Sequence, residues 1–222
     1  GRGRDAGEVA ERSAAVKPGD PYTFIYTSGT TGPPEGCVLA HGNYRSVVDM
    51  CEQAGILHEG DVVYLYLPLA HSFALLIELI AIDLGGTIAY WGGDPKGVVG
   101  ELMAVKPHYL PSVPRIFEKI YTKATAAEGL KKKILDWSIA TGRKYRQAER
   151  EGRSPGFLLE RRFALADKLA LSKIRALFGG RVRLCVTGAA PISREILEFF
   201  WAAGVLFLEG YGVTQALTGP AI

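Results

Sequence analysis

Apolar residues recur along the chain in two rhythms. Seven short runs are rich in β-branched and aromatic residues and read as strands: YTFIYT (22–27), GCVLAH (36–41), DVVYLYLP (61–68), GTIAYW (86–91), HYLPSV (108–113), RVRLCVT (181–187) and VLFLEG (205–210). The longer stretches between them read as helices. Asn43 is placed to cap a helix that Gly55 stops, and SFALLIELIAIDL (72–84) is an apolar helix closed by Gly85 and Gly86. Asp94-Pro95 opens a helix reaching Lys106, Pro114 opens another, and Ser193 caps SREILEFFWAAG (193–204). Near-continuous apolar strands separated by helices predict an α/β fold, a mostly parallel sheet covered by helices on both faces.

One segment keeps a helical beat throughout. Ile134, Trp137, Thr141, Tyr145 and Ala148 recur at steps of three and four, as do Leu159, Phe163, Ala166, Ala170, Ile174 and Leu177. They predict two amphipathic helices parted by the breaker GRSPG (152–156), with apolar stripes that serve as core or docking faces. The pair forms a helical insertion at about 121–178 in a partial domain spanning 21–222, preceded by a polar lead-in or linker over 1–20.

Charge singles out the same segment. Residues 121–175 hold fourteen Lys/Arg against six Asp/Glu, net +8; the remainder holds twelve against seventeen, net −5, which together give the chain's +3. A local basic excess suits an anionic surface. It lacks the aromatic interleaving of a single-strand binder, so nucleic acid is not expected. A solvated helical face and peripheral contact with a membrane remain the two readings.

Apolar residues make up 48% of the chain and charged ones 22%, enough to bury a sizeable core. Cys37, Cys51 and Cys185 are far apart without metal-like spacing, which predicts free thiols in a reducing cytoplasm. No apolar run approaches the roughly 18–20 residues that span a bilayer. The chain has no initiating Met and stops at ALTGPAI, as an excerpt of a longer protein would.

Chemistry concentrates in three glycine-containing loops. TSGTTG (27–32) offers hydroxyl donors, and its glycines let backbone amides approach an anion. It is neither a GxxxxGK[ST] loop nor a GxGxxG loop, and by composition alone it is equally a flexible turn. GAAP (188–191) and the stretch 211–215 follow two later strands. In parallel sheets ligands bind beyond the carboxyl ends of the strands, so if the loops 28–36, 188–191 and 211–215 converge, one site contains all three. His71, in LPLAHSF (67–73), reads either as a partly buried helix-capping residue or as part of that site.

Taken in order, YTSGTTGPPEG, LPLAHSF, VTGAAPISREILEFF and FLEGYGVTQA resemble the core motifs of the adenylate-forming superfamily: acyl-CoA synthetases, peptide-synthetase adenylation domains and luciferases. The resemblance runs from about residue 21 to the C-terminus. LPSVPRIFEKIY, the basic helical pair and KIRALFGGRVRLCVTGAAP look like the bacterial long-chain fatty acid–CoA ligases within it. It implies a two-step reaction: a carboxylate and ATP give acyl-AMP and pyrophosphate, and the thiol of CoA then displaces AMP. Fatty acid, ATP and CoA are the implied substrates, with Mg²⁺ as the implied cofactor.

The resemblance also assigns roles to residues. Thr27, Ser28, Gly29, Thr30, Thr31 and Gly32 would embrace the phosphates of ATP. Gly188, Ala189, Ala190 and Pro191 would form the adenine turn, and Gly210, Tyr211 and Gly212 would belong to the next motif, with Tyr211 stacked on the base. His71, beside the acyl carboxylate, and Thr214, on the α-phosphate, are the implied catalytic residues. The family's metal-binding glutamate is Gln215 here, and the lysine of its usual P-K-G ending is Glu35. A carboxylate 6 Å from one phosphate charge costs roughly 3 kcal/mol at an effective dielectric near 20. Glu35 is therefore expected to turn away from the phosphates or to supply the carboxylate that Gln215 lacks. A weakened homologue that binds nucleotide or acyl groups, and an enzyme for another carboxylic acid, stay open as alternatives.

Overall fold

The computed structural model describes residues 6–27, 35–210 and 212. In chain order its elements are α1 (Ala6–Ala15), β1 (Pro21–Thr27), β2 (Glu35–Ala40), α2 (His41–Gln53), β3 (Val62–Leu65), α3 (Ser72–Asp83), β4 (Thr87–Tyr90), α4 (Val98–Val105), β5 (Tyr109–Ser112) and α5 (Pro114–Thr125). Then follow α6 (Gly129–Arg150), α7 (Phe157–Ala166), a π turn (Asp167–Leu171), α8 (Ser172–Ala176), β6 (Leu184–Thr187), α9 (Arg194–Ala202) and β7 (Leu206–Glu209).

Five strands form a parallel sheet in the order β4-β3-β5-β6-β7. Period-two alternation sends their side chains to two separate cores. Val63, Leu65, Tyr109 and Val186 pack under α2 and α3. Tyr64, Leu110, Cys185 and Phe207 face α4, α5, α9 and the helical insertion. At the amino ends of the strands, buried Asp61 accepts the His58 backbone N–H at 2.8 Å and pairs with Arg183. The His108 ring accepts the Val62 N–H at 3.0 Å. That end is closed, and the carboxyl ends are left to the loops.

The structure corrects several expectations. β1 and β2 are not part of the parallel sheet; they pair antiparallel as a two-stranded sheet with Thr27 opposite Glu35. Only residues 28–34 connect them, and a parallel pair needs a crossover of about a dozen residues or more. The first loop therefore does not leave a carboxyl end of the main sheet. The polar lead-in carries the ten-residue helix α1. Asp94 does not open α4: its carboxylate accepts the Lys96 N–H and its carbonyl the Gly97 N–H, a turn that delays the helix to Val98. Asn43 lies inside α2, reaching back to the Ala40 N–H at 2.9 Å. Ser193 caps α9 as expected, accepting the Ile196 N–H at 3.3 Å. Ser193→Ala should cost about 1 kcal/mol, measurable as a lowered unfolding midpoint.

The first stripe of the insertion holds only in part: α6 buries Thr141 and Ala148 as expected, but Leu135, Ser138 and Gly142 one residue past expected positions, while Trp137 remains 38% exposed. The cause is Gly142: a β-carbon there would stand 2.3 Å from the Ala202 carbonyl oxygen, so the helix rolls its smallest face onto α9. The second stripe holds, with Ala166, Ala170 and Ile174 buried, and Tyr145 stacks on Phe163 at 3.9 Å.

Candidate active site

A cavity of about 540 Å³ opens at the carboxyl ends of the parallel strands. This is the size of a small-molecule site. Its mouth is formed by Pro68, His71, Gly188, Ala189, Gly210 and Gly212. One wall is the sheet, through Tyr109, Val113, Val186 and Leu208; the other is α3, through Phe73, Leu76, Ile77 and Ile80. Cys51 and Ile56 also line it. Among the described residues no Asp, Glu, Lys or Arg does.

Local backbone features shape the mouth. β6 and β7 end side by side, with the Gly210 N–H donating to the Thr187 carbonyl at 2.7 Å and the Gly188 N–H to Ser112 at 3.3 Å. Gly188 is buried; a β-carbon there would lie 3.2 Å from the Gly210 carbonyl oxygen and 4.0 Å from Phe73 Cζ. Ala189 has φ 68°, a left-handed conformation that costs an L-residue about 1–2 kcal/mol. Such strain clusters where a turn must present its backbone to a ligand. Ala189, Ala190 and Pro191 are exposed beyond it.

His71 occupies the N-cap position of α3 with extended backbone, but its side chain makes no capping bond and is exposed at the mouth. The expectation of a partly buried capping histidine is therefore replaced by a free imidazole at the cavity entrance. His71, Gly188, Ala189, Gly210 and Gly212 are thus brought together by the fold. Thr27 ends β1. Ser28, Gly29, Thr30, Thr31, Gly32, Tyr211, Thr214 and Gln215 lie outside the described residues. Glu35 begins β2, its backbone paired with Thr27.

The cavity wall is what sequence reasoning missed. α3 lines it through Phe73, Leu76, Ile77 and Ile80, the spacing of an ordinary core-facing stripe, so the sequence carries no separate signal for a cavity. Among the described residues no group of three or more His, Cys, Asp or Glu side chains is arranged to hold a metal.

A parallel α/β sheet whose glycine turns frame an apolar cavity at its carboxyl ends presents a small-molecule site where such sheets bind their ligands. The chain belongs to the AMP-binding enzyme family, whose model matches residues 2–220. It is 36% identical over 222 residues to the long-chain-fatty-acid–CoA ligase FadD15 of Mycobacterium tuberculosis, covering 98% of this chain and 37% of that protein. It is 38% identical to the long-chain-fatty-acid–CoA ligase 5 of Mus musculus, covering 97% of this chain and 31% of that one. The chain therefore spans about a third of the length of these relatives. The adenylation domain of a carboxylate reductase from Mycobacterium chelonae shares the fold, with a TM-score of 0.62 at 22% identity over 94% of this chain and 30% of that one.

Proposed function

We propose that the protein of which this chain is a part is an ATP-dependent, AMP-forming ligase. It activates a long-chain fatty acid through an acyl-adenylate to its CoA thioester, releasing AMP and pyrophosphate. The observation that carries the reading is an apolar cavity, with no charged side chain among the described residues that line it, opening beside the Gly188 and Gly210 turns. An alkyl tail gains about 0.8 kcal/mol for each CH₂ buried. An amino-acid substrate would instead leave its ammonium group facing a wall to which no described residue gives a counter-charge.

In this reading the fatty carboxylate stops at the mouth beside His71, which donates a hydrogen bond to it and fixes its angle of attack. Gly188, Ala189, Ala190 and Pro191 flank the adenine, Tyr211 stacks on it, and Thr214 bonds the α-phosphate. Thr27, Ser28, Gly29, Thr30, Thr31 and Gly32 wrap the phosphates. The carboxylate itself is the nucleophile, so the chain's contribution is positioning and charge stabilisation. Mg²⁺ supplies charge neutralisation when bound. The described residues offer no protein cage for it, and a few ligands such as Gln215 with phosphate oxygens would be its holders. In the full-length protein, a fatty acid should drive exchange of pyrophosphate into ATP, and an amino acid should not. Binding of both ligands without exchange would instead identify a weakened homologue.

The basic insertion supports peripheral contact with the cytoplasmic face of a membrane. The cytoplasm also suits three free thiols. Among the described residues no helix is long and apolar enough to cross a bilayer. On α7, Phe157, Leu158 and Leu165 are 71%, 64% and 52% exposed beside Arg161 and Arg162, with Arg161 over the Phe157 ring at 4.8 Å. Apolar anchors among cations suit anionic lipid at about 1 kcal/mol per basic residue. The double change Arg161→Glu, Arg162→Glu should weaken sedimentation with phosphatidylserine vesicles about tenfold or more. Equal binding to neutral vesicles would contradict this mode.

A further inference from the structure

We propose that Tyr66 and Ser112 are positioning residues for the reaction. Their hydroxyl pair ties the loop that carries His71 to the strand end that holds the Gly188 turn, and so sets the imidazole against that turn. The inference rests on the reading of His71 as the group beside the acyl carboxylate.

Ser112 ends β5 and is 0% exposed. Strand alternation puts it on the face of Leu110, away from the cavity. A position so buried takes an apolar residue unless the polar group is partnered. Ser112 is engaged through both its side chain and its backbone. Its hydroxyl donates to the Val113 carbonyl at 3.1 Å, so in the 2.5 Å pair with Tyr66 the tyrosine hydroxyl is the donor. Its own carbonyl accepts the Gly188 N–H at 3.3 Å. One residue therefore joins the carboxyl ends of the three neighbouring strands β3, β5 and β6.

Tyr66 is placed to transmit this hold. It follows β3 directly, and its ring stacks on Tyr64 at 6.0 Å with the planes 24° apart. Tyr64 is itself 0% exposed and donates to Glu101 at 2.8 Å, which fixes the stack. Burial pushes the Tyr66 hydroxyl up, so it keeps its proton and remains a donor. Only Leu67 separates Tyr66 from a turn closed by the His71 N–H donating to the Pro68 carbonyl at 3.1 Å. His71 is the N-cap residue of α3, and its carbonyl accepts the Leu75 N–H at 3.2 Å. The hold at the tyrosine hydroxyl thus reaches the imidazole through one intervening residue and a closed turn. Removing the hydroxyl pair leaves the Gly188 bond in place, because that bond uses the Ser112 backbone. His71 then loses its fixed position while the Gly188 turn keeps its own.

The test compares Tyr66→Phe and Ser112→Ala with wild type in the full-length protein, after thermal melts show which variants fold; Tyr66→Phe, the milder change, carries the test alone if Ser112→Ala does not. The saturated rate of fatty-acid-dependent pyrophosphate exchange should fall about tenfold, since a misplacement of about 1 Å can cost on the order of a hundredfold. The KM for ATP should move less than about twofold, the pattern of a lost interaction outside nucleotide binding. The double variant should fall no further than either single one, because both remove the same bond. A second readout needs no turnover. The His71 ring resonances, assigned by their loss in His71→Gln, should shift in the variants, while those of His58 and His108 at the amino end of the sheet stay in place. An unmoved His71 signal, an unchanged rate, or a KM for ATP that rises as much as the rate falls overturns the inference and leaves the ligase reading standing. Wild-type protein that exchanges with no fatty acid overturns the ligase reading, and the His71 signal alone then decides whether the tether sets the imidazole.

Discussion

Phe200→Ala lowers stability by about 3–5 kcal/mol, the expected cost of truncating a fully buried phenylalanine. The ring is 0% exposed at the centre of an aromatic cluster. It meets Phe178 edge-on at 5.1 Å, stacks on Phe207 at 5.4 Å, and touches Phe199 and Tyr121. These partners come from the segment after α8, from β7, from α9 and from α5, so one side chain joins the insertion, the sheet edge and two helices. Truncation loses both the transfer energy and the offset and edge contacts. The apparent melting midpoint should fall by roughly 10 °C, and Phe200→Leu should recover part of the loss. A fall of only a degree or two would mean that the cluster is looser than its geometry indicates.

Gly142→Ala should cost about 3 kcal/mol or more although it adds one methyl group. The added carbon would meet the Ala202 carbonyl oxygen at 2.3 Å and Leu171 Cδ1 at 3.1 Å. The first obstacle is backbone and cannot rotate away, so α6 must move off α9; overpacking of this kind sits at the upper end of its usual range. Undocking would also strain the Arg175 guanidinium, which bonds the Ala203 carbonyl at 2.9 Å while paired with Asp167. The expected readout is faster amide exchange and proteolysis across the insertion, with the amides of β3 and β5 far less affected. Exchange rising equally everywhere would mean that the insertion and the sheet unfold as one unit.

What could be read from the sequence divides along physical lines. The five parallel strands were legible because strands buried on both faces show continuous apolar runs, and the Ser193 cap because its hydroxyl acts within one turn. The hairpin was misplaced because YTFIYT and GCVLAH have the composition of core strands; only the short connector separates an antiparallel pair from a crossover. Trp137 was expected inside because apolar spacing scores large residues, whereas the contact between α6 and α9 is set by the smallest residue, Gly142. The mouth of the cavity was legible through His71, Gly188 and Gly210 by motif resemblance. Its walls were not, because Phe73, Ile77 and Tyr109 look like ordinary core until α3 is placed over the sheet.

The central claim is that the glycine turns and the apolar cavity make one site for one acyl-adenylate. The most direct measurement is calorimetric binding of a non-hydrolysable fatty-acyl adenylate analogue to the full-length protein and to its Gly188→Val variant. Intermediate analogues bind at least about a hundredfold more tightly than the separate substrates when both halves are held at once. We expect the analogue to exceed AMP by that margin in the wild type, and the advantage to vanish in folded Gly188→Val, whose side chain would fill the junction between turn and cavity. Equal affinity for AMP and the analogue, or an undiminished advantage in the variant, would contradict the account.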